Sequence, residues 1–288
     1  MADKTRASGS DRSALLAFLY NTAVGRMLLR GISCRGVSRI GGKYMDSRLS
    51  CMHISRFIHK NSIDMDEYEK ADYTSFNQFF TRKIKAERRP VDMSPDSLIA
   101  PCDGLLSAYK ITDGAVYPIK QSYYTVADLL GGDSAAKLFD GGICLVFRLC
   151  VDNYHRYCYI DSGEKGENVF IGGRLHTVRP IALRRYPVFV QNSREYTIMH
   201  TDNFGTVAQI EVGALMIGRI LNHHGAGRIK RGEEKGMFLY GGPTVVVLLE
   251  KGAIQVDELY FDRTAAGKET PVRYGQRIGK KSDIEVSL

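Results

Sequence analysis

After Pro90 the chain breaks into short apolar or alternating runs separated by glycine, a texture that few folds can accommodate. The runs are Leu98 to Ala100, Ile143 to Val151, Val188 to Val190, Tyr196 to Met199, Thr206 to Ile220, Thr244 to Leu249 and Ile254 to Val256. Short apolar runs bounded by turn formers read as strands, and glycine supplies the backbone freedom that tight connections need. Many such strands predict a mainly antiparallel β core.

Upstream the period changes. From Ser13 to about Lys60, Leu15, Leu16, Leu19, Val24, Met27, Leu28, Ile54, Phe57 and Ile58 recur at helical spacing. Arg26, Arg30, Arg35, Arg39, Lys43, Arg48 and Arg56 lie between and around them. Such helices can pack their stripe on the protein, or lay it in a membrane interface with the arginines on anionic headgroups. Asp64 to Lys85 continues the helical period, with Phe76, Phe79, Phe80 and Ile84 forming an aromatic face and a basic face beside it. The expected class is α+β: N-terminal amphipathic helices, then a mainly antiparallel β core. The boundary is expected near residue 62, giving a basic helical docking segment (1–62) and a β-rich domain (63–288).

Composition narrows the function classes. With 288 residues, 44% apolar and 25% charged, the chain can bury a substantial core, and neither a disordered nor a fibrous reading fits. A net charge of +8 favours an anionic partner, nucleic acid or acidic lipid, without choosing between them. Cys34, Cys51, Cys102, Cys144, Cys150 and Cys158 are too sparse for a disulfide scaffold and suit a reducing interior. The run Ala14 to Tyr20, broken by Asn21, lacks a cleavage site expected of an export signal, and no apolar stretch reaches the roughly eighteen residues of a membrane span. If this chain works on a membrane, it lies on the surface.

Three segments could carry chemistry. "PCDG" sets Asp103 in a turn, where an Asp either bonds its own backbone or serves as an acid. "CVDNYHRYCYIDSG" places His155 beside Tyr154 and Arg156 just after an apolar strand, where an imidazole can move protons near neutral pH. Cys158, with Cys150 and His176, invites a thiol or metal reading, but no paired CxxC or HxxxH spacing supports a metal. "FLYGGPTVVVLLEKG" puts Gly241, Gly242 and Pro243 at the mouth of a strong apolar strand. His223 and His224 read as surface residues.

From about Ser75 to near the C-terminus these segments resemble phosphatidylserine decarboxylases. "FNQFFTRKIK", "PCDG", "IKQSYYTVADLLGG", "NYHR", "RLHTVRP", "VGALMIGRI", "KRGEEKGMF" and "YGGPTVVVLL" occur in that family's order. The resemblance implies conversion of phosphatidylserine to phosphatidylethanolamine and CO2, in phospholipid biosynthesis, by a decarboxylase-like domain over residues 63–288. It implies a peripheral protein on the cytoplasmic face of the cell membrane, with phosphatidylserine and an anionic lipid surface as partners, no nucleic acid, and a homodimer open to it. The family makes a covalent pyruvoyl cofactor from the serine of a Gly-Ser-Thr segment. By position Asp103 matches the family's acidic residue and His155 its decarboxylation histidine, while the histidine tied to self-cleavage is Cys158 here. Tyr154, His176, Gly241 and Gly242 fall around the substrate, and cleavage falls between Gly242 and Pro243.

Pro243 is the departure that matters. Proline has no hydroxyl to attack the preceding carbonyl and no β-oxygen to eliminate, so the pyruvoyl route is closed at that residue. Thr244 offers the nearest hydroxyl, but its attack would cut after Pro243 and leave a ketobutyryl end one residue out of register. Cys158 could serve the lost histidine's role as a thiolate, or His176 could stand in for it. The alternative function is a non-catalytic homologue that binds anionic phospholipid.

Overall fold

The computed structural model describes residues 14–32, 35–112, 116–119, 122–132, 134–173, 188–213, 219–240 and 243–282. His176, Gly241 and Gly242 lie outside these residues, as do residues 214–218 of the expected strand Thr206 to Ile220.

The class is the expected one. Helices α1 (Ala14–Asn21), α2 (Ala23–Ile32) and α3 (Arg35–Met45) lead, through a 3-10 turn at Arg48–His53, into α4 (Ile54–Asn61). None of the described helices is long and apolar enough to cross a membrane.

The β region centres on one large antiparallel sheet. Its strands run in the order Gly227–Ile229, Gly163–Lys165, Arg194–Thr201, Gly205–Val212, Thr244–Leu249, Ile143–Arg148, Gly104–Lys110 and Thr270–Val272, with Val169–Ile171 paired beside Arg194–Thr201. The valine-rich strand Thr244–Leu249 has neighbours on both edges and every residue buried. Side chains alternate across a strand, so it feeds two cores. Val246 and Leu248 meet Ile210, Phe139 and Phe189 on one face. Val245, Val247 and Leu249 meet Phe147, Tyr157 and Phe238 on the other. A small sheet (Ile220–Asn222, Glu234–Phe238, Arg156–Cys158) contributes Tyr157, Cys158 and Phe238 to this second core.

Two expectations fail. Asp64 to Lys85 is not one helix: it holds a 3-10 turn at Met65–Glu67, a bridge between Tyr68 and Ile84, and only the short α5 (Phe76–Phe80). Ser75 breaks the period by taking an extended backbone, and its hydroxyl then caps α5 by accepting from the Gln78 amide at 3.2 Å. The phenylalanines still gather on one face, where Phe57 of α4 meets Phe76, Phe79 and Phe80 edge-on. Val188 to Val190, read as a strand-like run, is a helical turn (Val188–Gln191) that buries Phe189. So short an apolar run carries no decisive period.

The second core also encloses ions. Lys235 Nζ donates to Glu211 Oε2 at 2.7 Å with both side chains fully buried, and Asn222 ties the pair to Glu195 and the Tyr157 hydroxyl. Removing one partner of such a pair leaves a buried charge uncompensated. Lys235→Met should cost about 3–5 kcal/mol in urea unfolding, and adding Glu211→Leu should recover most of that loss. A single variant of unchanged stability would contradict this account.

Candidate functional site

Backbone hydrogen bonds stitch three distant segments together. The Cys158 amide donates to the Pro101 carbonyl at 2.9 Å, which ties "PCDG" to the histidine segment. The Phe238 amide donates to the His155 carbonyl at 2.9 Å, and the Leu149 amide donates to the Pro243 carbonyl at 3.0 Å. Residues 149–158 therefore run beside both flanks of the glycine pair. At the head of the neighbouring strand Gly104 packs closely, since a Cβ there would lie 3.0 Å from the Arg148 carbonyl oxygen and the backbone would have to give by a few tenths of an ångström.

Asp103 is buried and held as an ion pair rather than as a turn former. Arg89 grips it in bidentate fashion, Nε to Oδ1 and Nη2 to Oδ2, both at 2.8 Å, and the Tyr274 amide donates to Oδ1 at 2.9 Å. Arg89 also reaches Glu67 at 3.3 Å. Tyr274 extends the group: its ring lies 5.8 Å from that of Tyr154, and its hydroxyl donates to the Gly232 carbonyl.

His155 is fully buried against Phe80, with ring centroids 3.9 Å apart. Neither ring nitrogen has a partner in hydrogen-bond geometry among the described residues. Burial, reinforced by the Arg82 guanidinium and opposed by the nearby Asn153 backbone, which falls outside hydrogen-bond geometry, lowers its pKa to about 3. The imidazole is therefore neutral at physiological pH, with one nitrogen free to donate and the other to accept.

Cys158 takes the opposite shift. Burial pushes its thiol up to about 12, against a smaller opposing effect of the Tyr274 hydroxyl. The thiolate needed for proton acceptance is not populated at neutral pH, which corrects the allowance made from sequence. Among the described residues no group of three or more His, Cys, Asp or Glu gathers as a metal site. His223 and His224 are partly exposed, the former 2.8 Å from Glu234.

The strand's two-residue alternation decides what Thr244 can reach. Thr244 pairs with Arg148 and Val212, and it shares parity with Val246 and Leu248, which line the first core. Cys158 lines the second core with Val245 and Val247, the parity of residue 243. The Thr244 hydroxyl is fully buried without a hydrogen-bond partner, on the face turned away from Cys158.

A model described as phosphatidylserine decarboxylase matches residues 76–280. The chain belongs to the phosphatidylserine decarboxylase family. It is 45% identical over 273 residues to phosphatidylserine decarboxylase proenzyme 2 of Clostridium acetobutylicum, covering 94% of each chain. It is 39% identical to the phosphatidylserine decarboxylase proenzyme of Clostridium botulinum strain Kyoto, with 92% of each covered, and 38% identical to that of Clostridium perfringens, with 96% and 98% covered. The likeness thus extends through the N-terminal helices as well as the decarboxylase-like β region.

Sequence reasoning missed Arg89, Tyr274 and Arg82. Arg82 falls within the segment with the basic face, yet it is 2% exposed and stacks over Tyr68. No periodicity could reveal this, because the helix that would have set its face ends at Phe80.

The depressed His155 pKa makes stability depend on pH. Protons bind the unfolded histidine below about 6.5 but the folded one only below about 3, so stability present above pH 6.5 is lost as pH falls between those values. For this group alone the loss from pH 7 to pH 5 is about 2 kcal/mol. His155→Gln should flatten the difference by roughly that amount in urea titrations, and an unaltered pH slope would contradict the assignment.

Proposed function

We propose that this chain is a phosphatidylserine decarboxylase-type protein of phospholipid biosynthesis, docked peripherally on an anionic membrane, with its self-processing step arrested at Pro243. The observation that carries the arrest is the pairing of Pro243 with Thr244. Residue 243 shares the parity of Val245 and Val247, on the side of Cys158, but bears a ring with no hydroxyl. The hydroxyl at 244 has the opposite parity.

The family's pyruvoyl cofactor does not fit residue 243, since the group arises from a serine and proline supplies neither the attacking oxygen nor the leaving one. We therefore assign no decarboxylation step to the chain as it stands. In this reading the remaining residues hold the site ready. Asp103, clamped by Arg89, fixes a negative charge beside the site, and neutral His155 can hold or pass a proton at either ring nitrogen. Tyr154 and Tyr274 wall the headgroup space in this reading, and His176, Gly241 and Gly242 are assigned to it as part of the same proposal.

Residues 1–62 are the docking segment in this proposal. Met27, Leu49 and Met52 are 77%, 73% and 75% exposed, and Lys43, Arg48, Arg56 and Lys60 are exposed around them. Apolar side chains presented among cations suit an anionic lipid surface. The cytoplasmic face of the cell membrane supplies such a surface, and a homodimer is compatible with it. The second reading, a non-catalytic phospholipid-binding homologue, is favoured by Pro243 itself.

Pro243→Ser should restore scission after Gly242, giving pieces of 242 and 46 residues that sum to the 288 of the chain. A carbonyl reagent should label the shorter piece, and adding Cys158→His should speed the cut. Failure of both variants to cleave would leave the binding homologue as the better reading. Sedimentation with phosphatidylserine-containing vesicles should be lost in high salt and weakened by Leu49→Ser with Met52→Ser. Equal pelleting with neutral vesicles would refute membrane docking through this face.

A further inference from the structure

Arg82 is a buried cation without a counter-ion. Its guanidinium donates through Nη1 to the Phe79 carbonyl at 3.3 Å and through Nη2 to the Tyr68 hydroxyl at 3.1 Å, while Nε has no partner. It lies over the rings of Tyr68 and Phe79, at 4.1 and 4.8 Å. No ion pair among the described residues includes it. Three carboxylates near the site are committed elsewhere, Asp103 and Glu67 to Arg89 and Glu234 to Arg156 and His223, while Glu69 is exposed and makes no ion pair among the described residues. Capping the α5 carbonyls and stacking on aromatics compensate part of the charge, but burying a guanidinium without an anion remains costly.

A second orphan stands beside it. Arg156 Nε donates to the Thr81 carbonyl at 2.8 Å, and the Phe80 ring lies against His155, so the Phe79–Arg82 and His155–Arg156 segments are clamped together. His155 is fully buried with both ring nitrogens unpartnered. A fork-shaped cation with a free N–H and a neutral imidazole with a free donor form a complementary pair for one oxyanion.

We propose that Arg82, with His155 beside it, holds an oxyanion of the phospholipid headgroup, and that this anion is the counter-ion the fold leaves out. The inference rests on the phosphatidylserine reading above and names the residue that would recognise the headgroup's charge. Phosphatidylserine offers two such groups, the phosphodiester and the serine carboxylate. A cation on the carboxylate would stabilise the state from which CO2 must leave, so a site built for decarboxylation favours the phosphodiester. α5 is bonded to the N-terminal layer through Ser50, whose hydroxyl accepts from the Phe76 amide at 2.8 Å, and Ser50 sits between the exposed Leu49 and Met52. Arg82 follows the last residue of α5 by two positions, so the helix that contacts this face also leads into Arg82.

The test is calorimetric titration of the full chain with dihexanoyl phosphatidylserine and dihexanoyl phosphatidylethanolamine, each below its micelle concentration. Arg82→Gln should lose about 10- to 100-fold in affinity, as expected for a charged hydrogen bond. Arg82→Lys, which keeps the charge but not the fork, should lose less. Equal losses for both lipids identify the phosphodiester, a loss for phosphatidylserine alone identifies the carboxylate, and either supports the proposal. Thermal unfolding identifies variants that fold. If Arg82→Gln does not, Arg82→Lys carries the test, and a folded variant with undiminished affinity for both lipids would show Arg82 to be structural and overturn the proposal. Absence of binding by the unmutated chain to either lipid would instead overturn the headgroup reading on which it rests.

Discussion

The structure depends on one strand being buried on both faces. Thr244–Leu249 can sit centrally because its side chains are apolar on either side and its backbone is paired along both edges. That position makes parity absolute: a one-residue difference is the difference between two cores. Residue 243 shares the parity of the core that holds Cys158, and residue 244 belongs to the other. A serine at 243 and a threonine at 244 are therefore not interchangeable sources of a hydroxyl, although they are neighbours in sequence.

Several groups around the site lack partners. Asp103 is fully engaged by Arg89 and the Tyr274 amide, whereas His155, Arg82 Nε and the Thr244 hydroxyl are buried without hydrogen bonds. Buried polar groups are normally satisfied. Where two of the exceptions, His155 and Arg82, lie on adjoining clamped segments, the shortfall reads as room for a ligand. The Thr244 hydroxyl, on the opposite side of the sheet, belongs to the packing of the first core.

Much of this was legible in the residues. Glycine-bounded apolar runs announced the strands because each is short and turn-limited, and Thr244–Leu249 and Ile254–Val256 fall where the composition places them. The ordered motifs identified the family because eight matches in sequence order constrain far more than one. What stayed hidden were properties set by tertiary contact. Asp103 reads as a turn former until Arg89, fourteen residues upstream, closes on it. Cys158 reads as a potential base until burial holds it as a thiol. The burial of Arg82 is hidden because α5 ends at Phe80, four residues before the Ile84 to which the apolar period runs.

The account turns on whether the chain processes itself, and intact mass spectrometry of the unmutated protein asks that directly. A single species of 288 residues is the result it predicts. Two pieces, the shorter beginning with a keto-blocked residue 243 or 244, would contradict it.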